Sequence, residues 1–340
     1  MEFKSQRKKE ILLYAVDEYI RKPQPITSAG LSVKFNDVST ATLRNELNAL
    51  EQMGYLQQLH TSGGRVPTSL AYRCYVNDIL SSNKININSL QQVKDNYEVK
   101  SVNLISTLSS LARKLSRVTN CPTILVQHGI ENLTIVDIKI IPLIQKDALL
   151  LVETTAGVID DNLSLDPDID RDACRDASSY LTEHFKGQTI KYMVDNVAEV
   201  CLRAGAQMFE FRSLIDSVTT ALQNVVKTKL DISSENTSKL LDNITSSEYD
   251  EAKDVLSFLE DGDEVISAVA DSSELNFIIG EENENDKLKG GMMLSAPIVI
   301  DGVSIASLAL VGPKRVDYGS LAAALKFIIS QAENLNKKGD

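Results

Sequence analysis

Apolar residues recur at helical spacing from the start of the chain. Ile11, Leu12, Ala15, Val16, Tyr19 and Ile20 share one face of a helix expected over Lys4 to Arg21, which the Pro23 and Pro25 pair ends. A short second helix, capped by Thr27 or Ser28, turns Leu31 and Phe35 inward and stops at Asn36-Asp37. A third helix follows over Thr40 to Met53, with Ser39 as N-cap and Leu43, Leu47 and Leu50 as its apolar stripe, extended by Val38 and Met53. Tyr55 to Gln58 and Arg65 to Thr68 then flank Ser62-Gly63-Gly64, whose glycines supply the positive backbone angle of a hairpin. Three helices with a tight second turn and a trailing hairpin predict a winged helix-turn-helix over residues 1–80.

The pattern changes afterwards. Residues 81–100 carry few bulky core side chains and read as a linker into a helical stretch from about Ser89 to Arg117. Runs rich in Ile, Leu and Val at Thr123 to Gln127, Thr134 to Pro142 and Ala148 to Thr155 read as strands, and similar runs return at Glu264 to Ala270, Asn276 to Ile279, Met292 to Ile300 and Val303 to Val311. Asp301-Gly302 joins the last two as a tight hairpin. The sheet is thus expected to be split, in parts 101–156 and 248–340, around an insertion at 157–247. That insertion is carried by three apolar helical faces: Ala177, Tyr180, Leu181 and Phe185; Val197, Val200, Leu202 and Ala206; Leu214, Val218, Leu222 and Val225. From the pattern alone the class is α+β and multidomain.

The chemistry lies on the outer arc of the third helix. Ala41, Thr42, Arg44, Asn45 and Asn48 face away from the leucine stripe, with no large apolar residue among them. An arginine fork can bond two acceptors of guanine, an asparagine can do the same on adenine, and small residues let a helix sit deep in a major groove. The candidate DNA-facing set is Lys34, Ser39, Thr40, Thr42, Arg44, Asn45 and Asn48, with His60, Ser62 and Arg65 from the hairpin against phosphate or minor groove. Charge sharpens this picture. The 340 residues carry a net charge of −12, yet residues 1–80 hold ten Lys or Arg against eight Asp or Glu, so the head is +2 and the remainder −14. An acidic chain repels DNA at long range, so binding demands local cations, for which Arg7, Lys8, Lys9, Lys34, Arg44 and Arg65 are the candidates.

Other chemistry is thin. Cys74, Cys121, Cys174 and Cys201 stand far apart with no paired spacing, which disfavours zinc or a redox switch. Asp166, Asp168, Asp170 and Asp172 alternate like a calcium loop, but Arg171 and Ala177 stand where such a loop needs glycine and glutamate. Glu281, Glu282, Glu284 and Asp286 read as a solvated acidic loop, and no phosphate-binding glycine motif precedes a helix. His60, His128 and His184 sit in no nucleophile motif, so the chain reads as no enzyme and without a cofactor. No apolar leader or run of roughly 18 apolar residues is present, which points to the cytoplasm and away from membranes.

The strings PITSAGLSVKF and STATLRNELNALEQMGYLQQLHTSGGRVPTSLAYRCYV resemble the head of the heat-inducible transcription repressor HrcA family. The closing segment from IIGEENENDKLKGG through GPKRVDYGSLAAALKFI is similar to that family's C-terminal part. This chain departs at HTSGGR and VPT, where the family usually shows HTSAGR and IPT; Gly63 in place of alanine changes no donor. The resemblance implies a winged-helix head, a GAF-like α/β sheet domain and an α-rich dimerising domain inserted in it. It further implies a homodimer that represses chaperone genes at the inverted-repeat CIRCE operator, a double-stranded DNA partner, and the GroE chaperonin as the partner that maintains activity. A GAF-like cup filled by its own side chains would be a scaffold; an open one would be a metabolite sensor.

Overall fold

A computed structural model describes residues 5–58, 64–82, 103–143, 147–166, 169–204, 211–233, 248–270 and 272–334. Helix α1 (Gln6–Arg21) buries Ile11, Leu12, Ala15, Val16 and Tyr19. It packs against α3 (Thr40–Gln52), on which the five-residue α2 (Ser28–Ser32) also rests, capped by Thr27, whose side chain accepts from the Gly30 amide. Strands β1 (Leu56–Gln58) and β2 (Arg65–Pro67) pair antiparallel, Leu56 opposite Pro67. The sequence reading passed over the next element, α4 (Ser69–Ser81), which buries Ala71, Tyr72, Val76 and Ile79. The expected linker falls almost wholly on residues 83–102, outside the described residues, as does the start of the helix expected from Ser89.

Helix α5 (Leu104–Thr119), capped by Asn103, leads into β3 (Thr123–Gln127). Strands β4 (Ile135–Pro142), β5 (Asp147–Thr154) and β6 (Gly157–Ser164) form a separate antiparallel sheet in the order β4-β5-β6. This corrects the expectation that residues 134–155 belong to the same sheet as the late strands. The local turn decides the pairing: Gly157, at φ 131°, closes a tight hairpin opposite Thr154, and closing a short loop costs far less entropy than reaching a strand more than a hundred residues away. The boundary expected at residue 157 therefore cuts through a hairpin.

Helices α6 (Arg171–Phe185) and α8 (Phe211–Val226) pack against β4 and β6 of this sheet, and α7 (Ile190–Ala204) packs on α8. Ala177, Leu181 and Phe185 pack inward, as do Val197, Leu214, Val218, Leu222 and Val225, but Leu202 is 59% exposed and is no core residue. Helix α6 also closes the open edge of β4, since Thr182 Oγ1 accepts from the Ile138 amide at 3.0 Å and Ser178 Oγ from the Ile140 amide at 2.8 Å. Asp170 of the aspartate run serves as the N-cap of α6, accepting from the Ala173 amide at 2.8 Å.

The larger sheet has five antiparallel strands in the order β7-β3-β10-β9-β8, where β7 is Lys229–Ser233, β8 Asn276–Ile279, β9 Gly291–Ile300 and β10 Val303–Pro313. Strand β7 lies inside the segment read as an insertion, yet it pairs with β3, Thr123 opposite Ser233. Asp301 and Gly302 both take positive φ, 50° and 78°, as the expected two-residue hairpin requires. Helices α9 (Tyr249–Leu259) and α10 (Gly262–Ala270) cover one face with Val255, Phe258, Val265 and Val269. Residues 264–270, expected as a strand, are thus helical: Val265 and Val269 stand four apart on one buried face, and Asp261 Oδ1 accepts from the Glu264 amide at 3.2 Å. The opposite face is covered by α5 and α11 (Tyr318–Glu333), whose Leu321, Leu325 and Ile328 are buried.

Candidate nucleic-acid interface

The surface that the polar arc requires begins with a cap. Ser39 Oγ accepts from the Thr42 amide at 3.1 Å and lies 2.9 Å from Thr42 Oγ1, which fixes the first turn of α3 and leaves Ser39 and Thr40 exposed at its tip. Leu43, Leu47 and Leu50 are at most 1% exposed and anchor α3 in the head's core. Helical geometry then places Ala41, Arg44, Asn45 and Asn48 outward, and all four are exposed, with Thr42 half-buried beside its cap. Lys34 is exposed in the turn before α3.

The basic run of α1 divides. Arg7 is exposed, whereas Lys8 turns back to Glu46 at 3.6 Å and Lys9 to Asp78 at 2.8 Å. The Asp78 hydrogen bond raises the Lys9 pKa above its ordinary value. Arg65 also folds inward. Its Nε donates to Glu51 Oε2 at 2.7 Å, its terminal nitrogen donates to Asn48 Oδ1, and its side chain is 12% exposed. The backbone beneath it is fixed by Ile26, which exchanges hydrogen bonds of 2.7 and 2.9 Å with Arg65. Gly64 is required there, because a Cβ would stand 2.7 Å from the Ile26 carbonyl oxygen and 2.8 Å from the carbonyl carbon of Pro25. His60 and Ser62, at the hairpin tip, lie outside the described residues.

A second feature escaped sequence reasoning. Arg73 on α4 donates Nε to Glu282 Oε1 at 2.7 Å, its terminal nitrogen donates to Glu282 Oε2 and to the Phe277 carbonyl, and Glu282 also accepts from the Ile279 amide at 2.8 Å. Tyr72, Tyr75 and Phe277 surround the buried Tyr318, with ring centroids 5.6 to 6.4 Å apart. The acidic loop read as solvated is therefore a docking point for the head. No local periodicity marks a pair 209 positions apart.

Among the described residues, no group of three or more His, Cys, Asp or Glu is placed to hold a metal ion, and no helix is long and apolar enough to cross a membrane. His128 Nε2 lies 2.9 Å from Ser307 Oγ, but Ser307 is fully buried within the five-stranded sheet, where no substrate reaches it. Burial pushes the Cys121 thiol up to about 12, which keeps it protonated and inert.

These features define an α+β protein whose N-terminal part presents a capped, solvent-facing polar helix. Residues 106–321 match the family model described as HrcA protein C terminal domain, and the chain belongs to the HrcA family. It is similar to the heat-inducible transcription repressor HrcA of Thermoanaerobacter pseudethanolicus, 28% identical over 97% of this chain and 96% of that one. The same-named proteins of Symbiobacterium thermophilum and Alkaliphilus metalliredigens are 26% and 28% identical over 97% and 94% of this chain and 98% and 94% of theirs. A solved structure titled a hypothetical protein at 2.2 Å superposes with a TM-score of 0.70 at 20% identity, covering 97% of this chain and 98% of that one, so the two share a fold.

Proposed function

We propose that this protein is a repressor of heat-shock genes, a winged helix-turn-helix reader that binds the CIRCE inverted repeat as a homodimer. The observation that carries the reading is the exposed arc of α3, opposite a fully buried leucine stripe, in a chain whose relatives are named heat-inducible transcription repressors. Arg44 contacts a guanine edge or a phosphate, Asn45 and Thr42 line the major groove, and Lys34, Ser39 and Thr40 sit where the helix tip meets the backbone. Two-fold symmetry of the protein would match that of the operator, with the two reading helices about 34 Å apart or a multiple of that. The three-stranded sheet and its helices serve as the dimerising unit; exposed Ile141, Leu143, Tyr192 and Leu202 supply apolar surface for it.

The five-stranded sheet is the GAF-like part, and its filled faces favour a scaffold over a metabolite sensor. GroE dependence is supported by contact order. Leu125 pairs with Leu308 and Thr123 with Ser233, so the sheet closes late and exposes apolar strands while it does. A gel shift of an inverted-repeat duplex against a scrambled duplex at physiological salt tests the reading: selective retardation of the repeat is expected, and equal affinity for both overturns it.

A further inference from the structure

Arg65 begins β2, where Ile26 fixes its backbone whatever its side chain does. That side chain spans from the hairpin to α3, reaching Glu51 Oε2 through Nε and Asn48 through a terminal nitrogen. A guanidinium carries donors only, so the Asn48 atom that meets it must be the carboxamide oxygen; the partner's chemistry, not fitting, settles which way the amide points. Asn48 is exposed on the outer arc, one turn beyond Arg44, and its Nδ2 has no partner among the described residues.

The orientation has a consequence for readout. An asparagine recognises adenine by accepting from N6 through its oxygen while donating to N7 through its nitrogen. At Asn48 the hydrogen bond from Arg65 occupies one lone pair of the oxygen and fixes the carboxamide's rotation, which leaves the Nδ2 donor as the group that meets a base. Glu51 pairs with the same guanidinium, which reduces what Arg65 adds to the attraction of phosphates.

We propose that Arg65 is a positioning residue, a latch that ties the hairpin to α3 and presents Asn48 as a pure donor. The base facing Asn48 is then selected only for an acceptor, a purine N7, guanine O6 or thymine O4, without the added N6 contact by which an unlatched asparagine prefers adenine. The inference rests on the DNA-reading role of α3 proposed above and assigns Asn48 and Arg65 distinct parts in specificity.

The test uses the full chain and a duplex that the wild-type protein selects from a randomised inverted-repeat library. Affinity is measured at several salt concentrations for all four base pairs at each half-site position, for wild type, Arg65→Met, Arg65→Lys and Asn48→Asp. Arg65→Met should lose roughly tenfold on the selected duplex, keep its salt slope, and shift one position per half-site toward adenine as the Asn48 oxygen is freed. Arg65→Lys, with one point charge in place of a fork, should not restore the wild-type preference. Asn48→Asp retains an oxygen for Arg65 but loses the donor, so the same position should turn toward bases that present an amino group, cytosine or adenine; this variant answers the question even if Arg65→Met fails to fold. A salt slope flatter by about one in Arg65→Met and recovered in Arg65→Lys would make Arg65 a phosphate contact and overturn the latch. Unchanged base preferences in both Arg65→Met and Asn48→Asp would overturn it too. If wild type selects no sequence at all, the repressor reading falls, and the latch with it.

Discussion

Gly280→Ala should open the joint between the head and the five-stranded sheet. Gly280 holds φ at 60°, and a Cβ there would fall on Ser69 Oγ and stand 2.7 Å from Ser69 Cβ. Two costs follow. An alanine held in the left-handed region costs about 1–2 kcal/mol, and forcing a methyl into a packed contact costs about 1–3 kcal/mol. Their sum, about 2–5 kcal/mol, falls on the joint because Ser69 is the first residue of α4 and its Cβ cannot retreat without moving the helix. Native-state hydrogen exchange over residues 69–81 and 276–283 reads the opening free energy of that joint directly. A double-mutant cycle separates the two costs. Ser69→Gly removes both atoms that the new methyl meets, so it should recover the steric part, about 1–3 kcal/mol, and leave the backbone part untouched. If the losses of Gly280→Ala and Ser69→Gly add to within about 0.5 kcal/mol, the contact is not the cause and the reasoning fails.

Two further outcomes are expected. Arg44→Ala should weaken operator binding by about 1–3 kcal/mol and relax preference at one base position, checked by anisotropy titration against single-base variants of the operator; a uniform loss on every duplex would reassign Arg44 to phosphate. Burial pushes the Glu282 carboxyl up, but the Arg73 hydrogen bonds and the Ile279 amide more than offset this and leave its pKa below the ordinary 4.5. A pKa depressed on folding stabilises above the unfolded value and ceases to as pH falls through the folded one, so exchange protection of α4 should drop in acid below about 4.5. Glu282→Gln should lack that drop, and a profile identical to wild type would remove Glu282 from the account.

What the sequence disclosed was local. The Ser39 cap, the Leu43, Leu47 and Leu50 stripe and the Asp301-Gly302 turn each depend on residues within a turn or two of one another, and each stands where pattern placed it. Residues 264–270 misled because Val265, Ile266 and Val269 are β-branched, while their buried pair follows the helical period. The partition of strands between two sheets was illegible for another reason. Thr134 to Pro142 and Ala148 to Thr155 are rich in Ile, Leu and Val as β9 and β10 are, and the tight Thr154 to Gly157 turn commits β5 to β6. In the reading surface, the exposed positions were legible from helical spacing alone, whereas the inward turn of Lys8, Lys9 and Arg65 was not: a cation's partner depends on Glu46, Asp78 and Glu51 arriving from other turns and other elements.

The same non-local contacts bear on how the head is presented. Helix α4 belongs to both neighbours: Tyr75 donates to Asp17 of α1 at 2.9 Å and Lys9 pairs with Asp78, while Tyr72 and Arg73 engage Tyr318 and Glu282 of the sheet domain. A helix shared in this way transmits orientation, because neither side can rotate without breaking either an aromatic core or a two-pronged ion pair. Ile11, Leu12, Leu43, Leu47 and Leu50 are buried in an apolar cluster that runs on through Tyr72 and Val76 to Phe277, Ile279 and Tyr318 of the sheet domain. Loss of the five-stranded sheet would therefore remove the surface that fixes the direction of α3. On the proposal of a dimer at a symmetric operator, that is enough to abolish tight binding, since two half-sites one or more helical turns apart reward only heads held in register. On the same proposal, loss of repression on heating requires no change within α3 itself, only the melting of the surface against which Arg73 and Tyr72 are docked.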